Sequence, residues 1–478
     1  MKKIFFTLFL IFTFFIVYPQ DTIHVPGDYS TIQAGISAAV DGDLVLVEDG
    51  TYIENINYLG KAITVASNFI IDGDTNHISN TIIDGSQPSN PDSGSTVFFI
   101  SGEDTTSILY GFTITGGSGT LSPSQANRRG GGVLCYQSNA RIEHNIIEYN
   151  EIIHQQSQGG GGICGFNLTS NPPNSMYVIV ENNIIRNNRC EANDVRAMGG
   201  GIFLQCEGRI VGNQIINNEV EYNGASGSNQ ASFGGGISCI WQVDFISVKI
   251  YDNIIANNRA LCNNTMGYGI GGGVDLIYTD CDFRRNIVKD NRVSGAPVAN
   301  GGGMRVLYSS PTSIIANNDF INNGPLDASV TLLGGGLLTS QTENLTVENN
   351  VFQLNSGLFG GGMYLSFDVD ISVRNNKFLD NDAVNGGGSI FIDESSPLIE
   401  NNLVAGNTSW FGGGIYVYHV VASDKKSDDN TGIKSLMMMS GDISEFTTEN
   451  SPTYTLPSLL KKNANLVSEP LIINNTIV

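Results

Sequence analysis

Read as apolar and polar positions, the chain repeats one template, apolar-x-x-Asn-x-apolar-x-x-Asn, nine times. Its first apolar positions run from Ile142 and Val180 to Val373 and Ile399. Its first asparagines are Asn145, Asn183, Asn213, Asn253, Asn286, Asn318, Asn350, Asn376 and Asn402. A second asparagine follows five residues later each time, from Asn150 to Asn407. Between templates stands a glycine triplet, usually followed by an apolar residue. The last three triplets, ending at Gly362, Gly388 and Gly414, recur every 26 residues. No 3.6-residue period accompanies the repeat, so helical solenoids are excluded. Each unit instead reads as two or three short strands between Asn or Gly turns.

A unit of this length predicts one coil of an all-β, right-handed parallel β-helix solenoid, with strands about 4.8 Å apart between coils. Each asparagine is expected to take a left-handed corner conformation and to stack its amide on the next coil as a ladder. The glycine triplets are expected at a second corner with positive φ. Ahead of the repeats, Ser30-Thr31-Ile32-Gln33 predicts a short capping helix with Ser30 as N-cap, running to about Val40. Leu44-Val45-Leu46-Val47 reads as the first buried strand.

The expected division is 1–20 signal peptide, 21–43 N-terminal cap helix, 44–420 parallel β-helix, 421–466 inserted or disordered segment and 467–478 start of a truncated coil. The signal is read from Lys2 and Lys3 ahead of an apolar run from Ile4 to Tyr18, too short for a comfortable membrane span. Export to the cell surface or medium is therefore expected. Residues 421–466 carry charge and a Met437-Met438-Met439 run without the glycine triplet. Pro470-Leu471-Ile472-Ile473-Asn474-Asn475 then restarts the template.

Composition narrows the function classes. The 478 residues include 57 glycines, about 12% against a usual ~7%. Lys+Arg number 24 and Asp+Glu 46, for a net charge of −22. Nucleic acid and anionic membranes both require a basic surface, so neither is expected as a partner. Seven cysteines at irregular spacing give neither a disulfide framework nor a zinc pattern, and they are read as small buried apolar residues.

Thr31-Ile32-Gln33, Gly42-Asp43, Gly50-Thr51-Tyr52 and Glu54-Asn55-Ile56 resemble the opening of the right-handed parallel β-helix superfamily, which includes pectate lyases and pectin esterases. The Gly360–Met363 and Phe352–Asn355 elements resemble repeats of polymorphic outer-membrane adhesins. The resemblance implies the fold over roughly residues 23–420, while the catalytic elements of these families are missing. No histidine stands between glycines. Gly208-Arg209-Ile210 continues with Val211 and not lysine, and Asp244-Phe245-Ile246-Ser247 departs from the pectin-esterase element. Gly116-Gly117-Ser118-Gly119 is half of a calcium nonapeptide without its aspartate. No metal and no cofactor is therefore expected, Ca2+ having no motif behind it.

Strand alternation after each triplet assigns an outward row: Leu134, Cys164, Phe203, Ser238, Asp275, Arg305, Leu338, Tyr364, Ile390 and Tyr416. Asp275 and Arg305 are its one acid–base pair and the candidate catalytic residues, against an ordinary exposed ion pair. Tyr364 and Tyr416 are candidates for stacking on sugar rings. At the corner after the second asparagine, Glu151, Arg189, Glu219, Arg259 and Arg292 follow one another. Arg259 and Arg292 are thus candidate ligands for an acidic glycan, or members of an ion-pair ladder. Two functions follow: a monomeric, secreted or cell-surface scaffold that binds glycans or mediates adhesion without catalysis, and a lyase or hydrolase of acidic polysaccharide.

Overall fold

The computed structural model describes residues 20–122, 127–155, 158–167, 176–194, 196–224, 231–241, 245–263, 267–295, 298–418, 436–438 and 471–477. The expected signal segment lies outside the described residues, as does most of 421–466.

The template positions form a column of coils. Each coil gives two strands to a broad sheet, such as Val133–Tyr136 and Ala140–Glu143, which pair in parallel with Ile163–Phe166 and Tyr177–Glu181 of the next coil. In one coil they merge into a single strand, Val274–Arg284. Between the two asparagines lies a strand of a second, 13-stranded parallel sheet, as in Ile146–Glu148 and Ile184–Arg186. A third, 12-stranded sheet leads into the glycine triplets, and a small six-stranded sheet follows the second asparagines. The chain is an all-β parallel solenoid, as its pattern predicts.

Why these residues build it is visible in the core. Val180 pairs with Ile142 below and Ile210 above, all fully buried. Phe320, Phe352 and Phe378 occupy one inward position in consecutive coils, their ring centroids 4.8 Å apart at each step and nearly parallel. Each such side chain adds roughly 1.5–3 kcal/mol of burial.

Both asparagine columns are buried ladders. The Asn350 amide Nδ2 donates to Asn376 Oδ1 at 3.0 Å and to Ile315 O at 2.9 Å, and its backbone N–H donates to the same Asn376 Oδ1 at 2.9 Å. The expected left-handed conformation sits elsewhere. It belongs to the residue before each ladder asparagine: His144 (φ 57), Asn182 (φ 56), Asn349 (φ 56) and Asn401 (φ 57). The corner residue must turn the chain, so the next side chain can point inward and bond. One residue cannot serve both ends.

The triplets split the same way. The first glycine takes the positive φ, as at Gly334 (φ 71). The second and third make room for the neighbouring coil: a Cβ on Gly335 would lie 2.4 Å from the Gly361 and Ser356 carbonyl oxygens.

The N-terminal boundary is earlier than residue 44. Strand Thr22–Val25 pairs in parallel with Leu44–Val47, so the first coil begins before the helix. Helix α1 (Ile32–Ala38) is capped by Thr31, whose Oγ1 accepts from the Ala34 N–H at 3.2 Å, and not by Ser30. The Glu54 carboxylate takes the Ile32 and Gln33 N–H groups at 3.0 Å each. Gln33 instead reaches Asn57, donating to its O at 3.1 Å and accepting from its N–H at 2.7 Å. Ile32 and Ile36 close the core end.

At the other end, residues 436–438 run antiparallel to Ile415–Val417. Leu471–Ile473 and Thr476–Ile477 take the next coil's places, and Asn475 Oδ1 accepts from Asn402 Nδ2 at 3.0 Å.

Candidate functional site

The outward row exists as the alternation predicts. Leu134, Cys164, Phe203, Ser238 and Asp275 are successive partners, followed by Arg305, Leu338 and Tyr364. Phe391, not Ile390, continues it to Tyr416. In that coil Gly387 carries the positive φ and Ser389 stands third in the triplet, which shifts the register by one.

The row is not a solvent-facing surface. The left-handed first glycine folds each third-sheet strand back beside the broad sheet, so residues before the triplet roof those after it. Met198 therefore joins Phe98, Leu134, Cys164, Phe166 and Phe203 in one outer apolar cluster. Val298 and Leu333 join Leu338, Tyr364 and Phe391 in another.

Ser238, Asp275 and Arg305 fall between the two clusters. Arg305 Nε donates to Asp275 Oδ1 at 2.7 Å, with side chains 9% and 0% exposed. This replaces the exposed ion pair of the sequence reading. The Arg305 guanidinium carbon lies 5.5 Å from the Phe233 ring centroid. Burial pushes the Asp275 carboxyl up, with Arg305 pulling it back. Among the described residues, Asp275 Oδ2, Arg305 Nη2 and Ser238 Oγ are buried without a hydrogen-bond partner. Three orphan polar atoms on consecutive coils cost roughly 1–3 kcal/mol each, unless a ligand or water meets them.

Tyr364 and Tyr416 do not form an isolated pair. Tyr364 is buried, stacks on Phe391 at 5.1 Å and donates its hydroxyl to Asp393 Oδ2 at 2.7 Å. Phe391 stacks in turn on Tyr416 at 5.1 Å. Tyr416 and Tyr418 at that end are half-buried, and Trp410, on the strand Thr408–Phe411 that leads into the last triplet, is 76% exposed. Burial pushes the Asp393 carboxyl up to about 6, the Tyr364 hydrogen bond opposing it.

Arg259 and Arg292 stand in the small sheet, away from this row. Glu151, Arg189, Glu219, Arg259 and Arg292 are successive partners there. Arg189 bridges Glu151 at 2.9 Å, Glu191 at 2.6 Å and Glu219 at 3.2 Å, and also meets Glu221. Arg259 reaches Glu219 only at 4.0 Å and is otherwise open. Arg292 donates to the Asn291 carbonyl at 3.1 Å and to the Asn322 carbonyl, and burial lowers its pKa. The corner is an ion-pair ladder up to Arg259, and Arg292 is tied to the backbone.

Sequence reasoning missed a third set. Tyr278 and Tyr308 stand three residues after Asp275 and Arg305, at left-handed positions (φ 51 and 53), and stack at 4.5 Å. Both are half-buried, and Phe245, 41% exposed, lies 6.3 Å from Tyr278. The matching offset from the ion pair was the available signal. A like-charge pair was also missed: Glu143 is the direct partner of Glu181, relieved by Arg141 at 3.1 Å and Arg209 at 2.8 Å. Burial raises the Glu143 carboxyl, Arg141 opposing, and its hydrogen bond to Glu181 raises it further. Among the described residues no three His, Cys, Asp or Glu side chains stand together to hold a metal ion.

No family model matches the chain, and no curated protein matches it. Among solved structures it is similar to an alginate lyase from Paenibacillus sp. str. FPU-7, at 14% identity and TM-score 0.27, over 84% of this chain and 99% of that one. It is similar to a GH136 lacto-N-biosidase from Eubacterium ramulus, at 13% identity and TM-score 0.29, over 81% of this chain and 61% of that one. It is similar to the receptor-binding protein of bacteriophage Det7, at 11% identity and TM-score 0.23, over 87% and 79%. Scores this low carry no inference about what this chain does.

Proposed function

We propose that the chain is a secreted or cell-surface glycan-binding scaffold, without catalysis, that offers the half-buried aromatic rings beside its buried row to a sugar polymer. The observation behind this reading is the stack of half-buried Tyr278 and Tyr308 on consecutive coils, beside Phe245, which is 41% exposed. A pyranose ring has an apolar C–H face and a rim of hydroxyls. Flat rings at coil spacing suit that face. Export is proposed from Lys2, Lys3 and the apolar run behind them. Among the described residues no helix is long and apolar enough to cross a membrane.

The second reading, a lyase or hydrolase, draws on Asp275 alone: a carboxyl whose pKa burial raises has the character of a general acid or base. One experiment separates the two. The purified chain is incubated with neutral and uronic-acid polysaccharides while retention and new reducing or unsaturated ends are followed. Retention without new ends is expected. New ends that vanish in Asp275→Asn would replace the scaffold with the enzyme.

A further inference from the structure

We propose that residues 69–80 form a strap fastened to the solenoid by a doubly protonated His77, held in mildly acidic surroundings and loosened as the medium turns alkaline. The proposal stands apart from the glycan-binding reading and concerns the N-terminal coils.

Strand Thr64–Ser67 leaves the broad sheet for two short helices, α2 (Phe69–Asp72) and α3 (Asn76–Asn80), and strand Thr81–Asp84 then joins the second sheet. Gly73 turns the chain between the helices at φ 72. His77 stands between two carboxylates. Its Nδ1 lies 2.5 Å from Asp49 Oδ1 on the preceding coil, and its Nε2 lies 3.3 Å from Asp72 Oδ2 at the end of α2. A carboxylate only accepts, and a neutral imidazole has a single N–H. With both carboxylates ionised, both ring nitrogens must donate, so this arrangement belongs to the imidazolium. Loss of one proton turns a bare ring nitrogen towards a carboxylate, and one of the two bonds goes.

No neighbouring group takes over this role. No Lys or Arg lies between Lys61 and Arg128 in the sequence. Lys61 Nζ is held by the Ile36, Ser37 and Ala39 carbonyls at 2.7 Å each. Asp49 also accepts from Asn80 Nδ2 at 3.3 Å and Thr81 Oγ1 at 3.4 Å, both long bonds. Asp72 Oδ1 takes the Asp74 N–H at 2.8 Å, and Asp74 Oδ1 takes the Asn76 N–H at 3.0 Å. The strands packed against α3, Thr81–Asp84 and Thr113–Thr115, bring one titratable side chain, Asp84, whose Oδ1 holds the Ser86 N–H at 2.9 Å.

The strap has two other fastenings. Phe69 packs 5.5 Å from the Tyr110 ring and 5.5 Å from the His144 ring, and Thr113 Oγ1 donates to the Ile78 carbonyl at 2.8 Å. Phe69 and Thr113 do not titrate. Burial lowers the His144 pKa, so His144 is neutral before the medium turns alkaline. The change above neutrality therefore falls to His77. Its hydrogen bond to Asp49 raises its pKa above the ordinary 6.5, burial opposing, and the same bond lowers Asp49 below 3.8. The His77 contribution is fully present below 6.5 and is lost as pH rises through the raised folded value. The Asp49 contribution is present above 3.8 and is lost as pH falls through the lowered one.

Two measurements on the full chain test the strap. The chain has five histidines, so isotope-labelled histidine gives few titration curves by magnetic resonance. The curve that disappears in His77→Gln is expected above 6.5, and Asp49→Asn should lower it. Hydrogen exchange of residues 69–80 is then followed by mass spectrometry, with strand Ile146–Glu148 as internal standard. Relative to that strand, the strap is expected to exchange about threefold faster at pH ~8.5 than at pH ~5.5, the scale of one exposed ion pair. Asp72→Asn changes a half-exposed side chain to an amide that a neutral imidazole can bond, so it should fold and lose the pH dependence. A His77 curve at or below 6.5 would overturn the proposal. So would a parent strap whose relative exchange is the same at both pH values, or a pH dependence that survives in His77→Gln.

Discussion

The asparagine corner and the outward row are both stacks of one residue per coil, yet they treat polar groups in opposite ways. At the corner the same amide recurs in coil after coil, and each amide bonds above, below and to the backbone. In the row, Ser238, Asp275 and Arg305 follow one another once, and each keeps an unpartnered atom. Burial alone does not explain the difference. Asp368 is as buried as Asp275, but it receives hydrogen bonds from Thr339 Oγ1 at 2.6 Å, Thr342 Oγ1 at 2.8 Å, Thr342 N at 2.9 Å and Ser366 N at 3.1 Å. Periodic chemistry satisfies itself between copies and holds the stack. A single carboxylate can also be satisfied, as Asp368 is, so the open valences of Ser238, Asp275 and Arg305 are a feature of that step and not of aperiodic chemistry in general.

The contrast breaks most severely where coils touch. Gly335→Ala places a methyl against two carbonyl oxygens of adjoining chain. The expected loss exceeds about 3 kcal/mol, since backbone on both sides resists the shift. A urea midpoint matching the parent would show that the coils are not packed this closely.

Asn350→Ala is expected to cost roughly 4 kcal/mol. It strands the Asn318 N–H and Nδ2, which donate to Asn350 Oδ1 at 2.9 Å each, and frees the Ile315 carbonyl. Asn349→Ala, one residue earlier, touches only the left-handed turn and should cost about 1 kcal/mol. Equal effects in denaturation would erase the division of labour between the two asparagines.

Acid should sharpen the picture through Asp393. Its folded pKa of about 6 exceeds the ordinary 3.8, so the folded state holds the proton more tightly. Stability contributed by this group is present below pH 3.8 and is lost as pH rises through 6. Asp393→Asn, which mimics the protonated acid, should therefore stabilise the chain by up to roughly 3 kcal/mol at pH 8 and by nothing at pH 3.5. Thermal melts at the two pH values check this, and a gain larger at the acid end would reverse the sign.

The smallest effect is expected at the outer corner. Arg259 is 54% exposed and touches Glu219 only at 4.0 Å, so Arg259→Ala should change stability by less than about 0.5 kcal/mol. It should also leave galactomannan retention unchanged. Loss of retention would move the binding surface from the aromatic rings to the small sheet.

Most of the fold was legible in the sequence because the repeat writes each contact many times. Nine asparagine pairs set the ladders, and the triplets set the coil length. What the repeat could not disclose was which of two adjacent residues does each task. Asn349-Asn350 offers two amides, and only the backbone shows that the first turns and the second bonds. Ser30-Thr31 likewise offers two caps, and Thr31 takes the role. The outward row was legible by alternation, but not its burial. That depends on the strand before each glycine triplet folding over it, a tertiary contact without a local signature. Tyr278 and Tyr308 escaped because they interrupt alternation: a left-handed residue leaves the two-residue period on which the reading relied.

The most direct test of the central claim measures stability and binding on the same pair of variants. Tyr308→Ala and Asn350→Ala are compared with the parent by urea denaturation and by retention on galactomannan, at a temperature where all three are folded. The account predicts that Asn350→Ala lowers the urea midpoint and keeps its retention, while Tyr308→Ala weakens retention and shifts the midpoint less than Asn350→Ala does. If the ladder variant loses retention while folded, or Tyr308→Ala loses stability and keeps retention, the division between a structural interior and a binding surface is contradicted.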